Sequence, residues 1–208
     1  MPVRLLVFLC LLAVPPGAAL AADPSQSELV EELRGGGYTI YFRHAATDWS
    51  QPDRVGKAGD WRSCDGTRMR QLSDAGRETA KRVGAAMQAL KIPVGEVLSS
   101  EYCRAVETAE LLDVGPVTTT PDIMNLRAAE YVGGHDAAVG AYRAIIAKPP
   151  PEGANRVIAA HGNLSRAATG AYPGEGGAVI IMADPAAEHG FRVIGMLDPD
   201  DWARLAGQ

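Results

Sequence analysis

A run of strand-forming residues, Tyr38-Thr-Ile-Tyr-Phe42, breaks off at Arg43-His44, and a second, Arg156-Val-Ile-Ala-Ala160, breaks off at His161 before a glycine and a helix start at Asn163. A third, Gly95-Glu-Val-Leu-Ser-Ser100, runs straight into a helical pattern from Glu101 to Leu112 that carries Arg104 in its first turn. Strands that each lead into a helix call for a parallel sheet, and such a sheet brings its strand ends to one edge, where ligands bind. Two arginines and two imidazoles therefore converge. Guanidinium forks match phosphoryl oxygens, and the free N–H groups at a helix start add positive potential, so the convergence suits a phosphoryl group. His44 could attack phosphorus, because nearby cations disfavour imidazolium and keep the ring neutral.

The rest of the chain supplies the scaffold. Ser25 to Arg34 reads as an amphipathic helix with Leu29, Val30 and Leu33 on one face, stopped by three glycines. Thr47 to Gln71 is a long polar loop without periodicity, a length that points to function or to a disulfide anchor; its Trp49 and Trp61 read as surface or satellite-core packing, with a pocket wall as the alternative. Ser73 caps a predicted helix over Asp74 to Lys91, whose Ala80, Val83, Met87 and Leu90 share a face. Pro116 to Thr120 reads as a short strand and Asn125 to Gly134 as a loop containing Glu130. Asp136 is expected to cap a helix to about Ala147, ended by three prolines. Gly177 to Met182 and Phe191 to Met196 close the chain as an antiparallel pair.

The N-terminus has the pattern of an export signal over residues 1–21: Arg4, a short apolar run from Leu5 to Val14, and Ala19-Leu-Ala21 as a cleavage pattern, leaving 22–208 as one domain. The run is too short to span a bilayer comfortably, and the expectation is a periplasmic or secreted protein without stable membrane insertion. Cys10 as a lipoprotein site fits less well, since bulky Phe8 and Leu9 precede it. Removing 1–21 takes one arginine and no acid, moving the formal charge from -5 to -6. An acidic chain with no basic run excludes nucleic acid as a natural partner. Cys64 and Cys103 then remain as an even pair in an oxidising compartment and are a disulfide candidate, with two separate buried thiols as the alternative.

Arg43-His44-Ala-Ala-Thr47, Leu72-Ser-Asp-Ala-Gly76, Ser99-Ser-Glu-Tyr-Cys-Arg104-Ala-Val-Glu-Thr-Ala109 and Ala160-His161-Gly-Asn163 resemble, in order, the signatures of the histidine phosphatase superfamily, branch 1, also called phosphoglycerate mutase-like. The match runs from about Gly36 to Gly170. The resemblance implies an α/β fold, a three-layer α/β/α sandwich with a mostly parallel central sheet. It further implies a phosphohistidine intermediate on His44, and neither metal nor other cofactor. Arg43, Arg104 and His161 would hold the phosphoryl group of a small phosphorylated substrate, with Thr47 and Asn163 assisting. The chain departs from the pattern where many members have Arg-His-Gly-Glu, since Ala45 and Ala46 follow His44, and where many have Leu-Arg-Glu, since Ala128 follows Leu126-Arg127. The usual proton donor is missing. Glu130 is the first candidate for a catalytic acid, with Glu175 and Asp136 behind it.

The expected activity is hydrolysis of a phosphomonoester by a metal-independent phosphatase. The alternatives are a phosphomutase of the same fold, which an exported protein without access to glycolytic phosphates suits poorly, and a weakened phospholigand-binding domain. A metal hydrolase built on His44, His135, His161 and Asp136 lacks any tight ligand spacing.

Overall fold

The computed structural model describes residues 25–207, so the expected export signal and cleavage pattern over residues 1–21 lie outside the described residues. Helix α1 (Gln26–Gly35) starts in a capping box, Ser25 accepting from the Glu28 N–H while Glu28 reaches back to Ser25. It turns the chain into β1 (Tyr38–Arg43), after which α2 (Asp74–Ala89), β2 (Val94–Ser100), α3 (Cys103–Leu112) and β3 (Val117–Thr120) follow. The second half comprises α4 (His135–Ile146), β4 (Asn155–Ala160), α5 (Gly162–Thr169), β5 (Ala178–Ala183), β6 (Phe191–Leu197) and α6 (Pro199–Leu205).

The strands form one sheet in the order β3-β2-β4-β1-β5-β6. The first four run parallel, and β5 and β6 add antiparallel to β1. Alternation along the strands divides the core. Ile40 and Phe42 of β1 face α1, α2, α3 and α6, whereas Tyr41 faces α4 and α5. Three layers result, as expected. β1, β4 and β2 lie side by side, with Arg43 opposite Ala160 and Ser99 opposite Ala159, so their carboxyl ends open at one edge.

Four local expectations are corrected. The chain does not end in a hairpin: α6 follows it, started by Pro199 and a capping box between Asp198 and Asp201. Its Trp202 is fully buried against Phe42, ring centroids 5.9 Å apart, and burying such a side chain contributes about 2 to 3 kcal/mol. The seven residues were too few to show a helical period. Helix α3 begins at Cys103, because Tyr102 is still extended. Helix α4 begins at His135, with Gly134 as its cap and Asp136 exposed inside the first turn. Within the expected loop, Leu126–Val132 forms 3-10 turns capped by the Asn125 side chain.

Gly76 in α2 is dictated by a close approach, since a Cβ there would stand 2.0 Å from the Ala46 carbonyl oxygen. The start of α2 is thereby pressed onto the segment that follows His44. Gly76→Ala is expected to destabilise the fold by about 1–3 kcal/mol and to lower kcat/KM with it. Urea titration and steady-state kinetics check this, and a variant with wild-type values for both would remove the contact's importance.

β6 carries an irregularity: Ile180 pairs with Gly195 and Ile181 with Val193, leaving Ile194 as an extra residue.

Candidate active site

His44 follows β1 directly and is buried, its backbone N–H bonded to the Ala160 carbonyl on the neighbouring strand. Its Nδ1 lies 2.9 Å from the Ala45 carbonyl oxygen. A carbonyl only accepts, so Nδ1 carries the proton and Nε2 keeps its lone pair whenever the ring is neutral. His161, after β4, packs against it with ring centroids 5.7 Å apart. Tyr41 locks His161 in place, accepting from its N–H at 2.9 Å and donating to its carbonyl at 2.8 Å. His161 Nε2 bonds the Ser100 hydroxyl at 2.8 Å, and its buried Nδ1 has no partner.

Arg104 is fully buried at the start of α3. Its Nη1 donates to Asp53 Oδ1 at 2.9 Å and its guanidinium lies 4.5 Å from the Tyr102 ring centre. Asp53 Oδ2 accepts from Arg70 at 2.9 Å and from Arg127 at 3.1 Å. One carboxylate thus aligns three guanidinium groups. Arg43 stands on the other side, 3.5 Å from Glu175. A polar cavity of about 140 Å³ is lined by Arg43, His44, Asp53, Arg70, Arg104 and Asn163, among others. Arg70 Nε, Arg104 Nε and Asn163 Oδ1, all from lining residues, are buried without a hydrogen-bond partner. Each such group costs on the order of 1–3 kcal/mol, which points to a polar ligand.

The long loop after β1 supplies Asp53, Arg70 and Trp49, and it is pinned to the start of α3. Cys64 and Cys103 are bonded, with an S–S distance of 2.03 Å, and Trp61 Nε1 and Arg62 both donate to the Glu101 carboxylate. Arg104 is the residue after Cys103. The bridge therefore ties Arg104 to the loop that carries Asp53 and Arg70.

The family model for the histidine phosphatase superfamily (branch 1) matches residues 40–144, half of the chain. This chain belongs to that superfamily. Solved structures share its fold. Protein histidine phosphatase SixA complexed with tungstate is 17% identical over 79% of this chain and 98% of its own, with a TM-score of 0.52. Phosphoserine phosphatase from Entamoeba histolytica, in complex with phosphoserine, is 12% identical over 79% and 98%, with a TM-score of 0.51. Mycobacterial glucosyl-3-phosphoglycerate phosphatase is 16% identical over 76% and 96%, with a TM-score of 0.50. A comparison with curated proteins found no match.

This histidine phosphatase gathers Arg43, His44, Arg104, His161 and Asn163 at one place. It does not bring in the others. Thr47 is buried, and its hydroxyl donates to Glu175 at 3.0 Å rather than lining the cavity. Glu130 is exposed and outside the cavity lining. Asp136 and His135 bond each other at the exposed start of α4. Ala128, where the family's acid is often found, is fully buried beside Trp61, Met69 and Tyr102, so this position packs a core instead of serving a proton. Among the described residues no cluster of three or more His, Cys, Asp or Glu side chains is arranged to hold a metal ion. Asp53, Arg70, Arg127 and Tyr172 were not legible individually as site residues: residues 49–71 and 125–135 read as the pocket entrance, but no periodicity singles out a side chain within them, and Tyr172 lies outside both.

Burial, then Arg104, lowers the pKa of both His44 and His161 well below that of a free imidazole, with Arg43 adding to the effect and the Ala45 carbonyl opposing it at His44. Both rings stay neutral through pH 6.5, so the acid limb of kcat is expected below that pH. The linked stability has the same sign. An unfolded chain takes up protons near pH 6.5 that the folded chain refuses, so stability is complete above that pH and is lost as pH falls towards the folded values. NMR titration of the ring signals checks this; two buried rings titrating at or above pH 6.5 would overturn it.

Proposed function

We propose that this protein hydrolyses a phosphomonoester through a phosphohistidine intermediate on His44. The observation that carries the reading is the cavity itself, where a neutral buried histidine with a free Nε2 lies among four arginines, two of which hold an unpartnered Nε–H. Arg43, Arg104 and the neighbouring guanidiniums take the phosphoryl oxygens, and His161 Nδ1–H donates in the tautomer that Ser100 permits. His44 Nε2 forms a bond to phosphorus as the bond to the leaving oxygen breaks. Water then attacks phosphorus, the N–P bond breaks, and phosphate departs. Asp53 holds three of the guanidiniums in position for both steps. No step calls on a metal ion.

Hydrolysis is favoured over phosphomutase chemistry by the export-signal pattern of residues 1–21, which supports a location in the periplasm or outside the cell, away from glycolytic phosphates. The Cys64–Cys103 bridge supports the same placement, because disulfides persist in oxidising compartments. The purified protein is expected to hydrolyse an aryl phosphate at an undiminished rate in excess chelator, with rapid quenching trapping acid-labile, base-stable phosphate on the protein. Loss of activity in chelator, restored by a divalent ion, would sink the reading.

A further inference from the structure

Four large hydrophobic side chains are exposed among the described residues: Trp49, Tyr172, Val193 and Met196. Two of them, Trp49 and Tyr172, line the polar phosphoryl cavity. Single exposed hydrophobics need no explanation, but two aromatic rings on one charged pocket do. Trp49 is 66% exposed, yet it is held. The Arg70 guanidinium lies over its ring at 3.8 Å from the centre, and that guanidinium is itself buried and ion-paired to Asp53 at 2.9 Å. One face of the indole is covered by a fixed cation and the other is open. Tyr172 has two cations beside its ring, the exposed Arg166 at 4.5 Å and Arg43, which faces Glu175, at 5.3 Å from the ring centre. It also leans on Gly162, where a Cβ would come within 2.8 Å of its ring edge. A ring held by a buried, paired cation, as Trp49 is, binds without the ordering cost that a mobile side chain incurs.

A second line comes from the acids. Glu130 and Asp136 are exposed and outside the cavity. Glu175 accepts from Thr47 and faces Arg43, and Asp53 accepts from three guanidiniums. Every carboxylate near the phosphoryl site is thus engaged as an acceptor, so a leaving oxygen that carries its own charge by delocalisation departs more readily than an alkoxide.

Resting on the hydrolysis reading above, we propose that Trp49 and Tyr172 form a stacking rim that selects phosphomonoesters whose leaving group is a planar aromatic ring. The phosphoryl group enters the arginine cavity and the ring of the leaving group lies against the open face of Trp49, with Tyr172 bounding it.

Calorimetric titration with phenyl-, cyclohexyl- and methylphosphonate, which cannot be hydrolysed, tests the proposal on the intact protein. Phenylphosphonate is expected to bind on the order of five- to tenfold more tightly than either of the others. Trp49→Ala and Tyr172→Ala should each reduce the ratio of phenyl to cyclohexyl affinity towards one. The ratio is the readout because Tyr172 also touches Arg43. Equal affinity for all three ligands, or a phenyl preference that persists in both variants, would overturn the rim and leave the phosphoryl cavity standing. Equal gains for phenyl and cyclohexyl would overturn the aromatic class. Failure of all three to bind would overturn the phosphoryl cavity and the rim with it.

Discussion

His44→Ala is expected to lower kcat by about four to six orders of magnitude, with no acid-labile phosphate left on the quenched protein. The size of the loss follows from the geometry. The Ala45 carbonyl fixes the proton on Nδ1 and presents Nε2 as the one free lone pair of that ring. Burial and Arg104 keep the ring neutral, so nearly every molecule is competent at neutral pH. Alanine removes the nucleophile and leaves the arginines, so phenylphosphonate binding should survive where turnover does not. Normal turnover in this variant would place the nucleophile elsewhere. A melting curve for the variant separates loss of chemistry from loss of fold.

Arg104→Ala is the second large effect, and it should appear in both activity and stability. A preorganised donor to a transferring group contributes about two to three orders of magnitude in rate, and Arg104 is the fully buried member of the clamp. Removing it also leaves the Asp53 carboxylate, 9% exposed, with only Arg70 and Arg127 as partners. Breaking a buried ion pair costs about 3–5 kcal/mol when one charge is stranded; with two partners remaining, the loss should fall below that range. Adding Asp53→Asn to Arg104→Ala should recover stability without recovering rate. If the double variant were as unstable as the sum of the two singles, the pairing between Arg104 and Asp53 would contribute nothing of its own. Arg104→Lys should retain part of the affinity for phosphate while losing most of kcat, since an ammonium supplies charge without the fork.

The half of the site carried by regular structure was legible in the sequence. Arg43, His44, Arg104 and His161 each sit within four residues of a strand end, and the apolar runs before them set their direction. The other half came from the irregular segment between β1 and α2. Asp53 and Arg70 owe their positions to a disulfide, to Glu101 and to two isolated bridges, Thr47 with Leu72 and Asp53 with Met69. Such long-range ties leave no period in a sequence. Trp49 shows the same limit, since its segment does not decide between surface packing and a pocket wall, and it proves to be exposed at the cavity mouth. Glu130 lies near the family's acid position along the chain, but the 3-10 turns of Leu126–Val132 bury Ala128 and leave Glu130 exposed.

The extra residue in β6 bears on how this protein behaves when crowded by its own copies. An open sheet offers unpaired backbone along both margins, and an apolar strand there is a template on which another chain can add. Here one margin, β3, is four residues long, and the other is buckled at Ile194 between the exposed side chains of Val193 and Met196. A buckled strand cannot present a continuous ladder of donors and acceptors, so the pair of exposed apolar residues it carries does not become a seed for strand-by-strand aggregation.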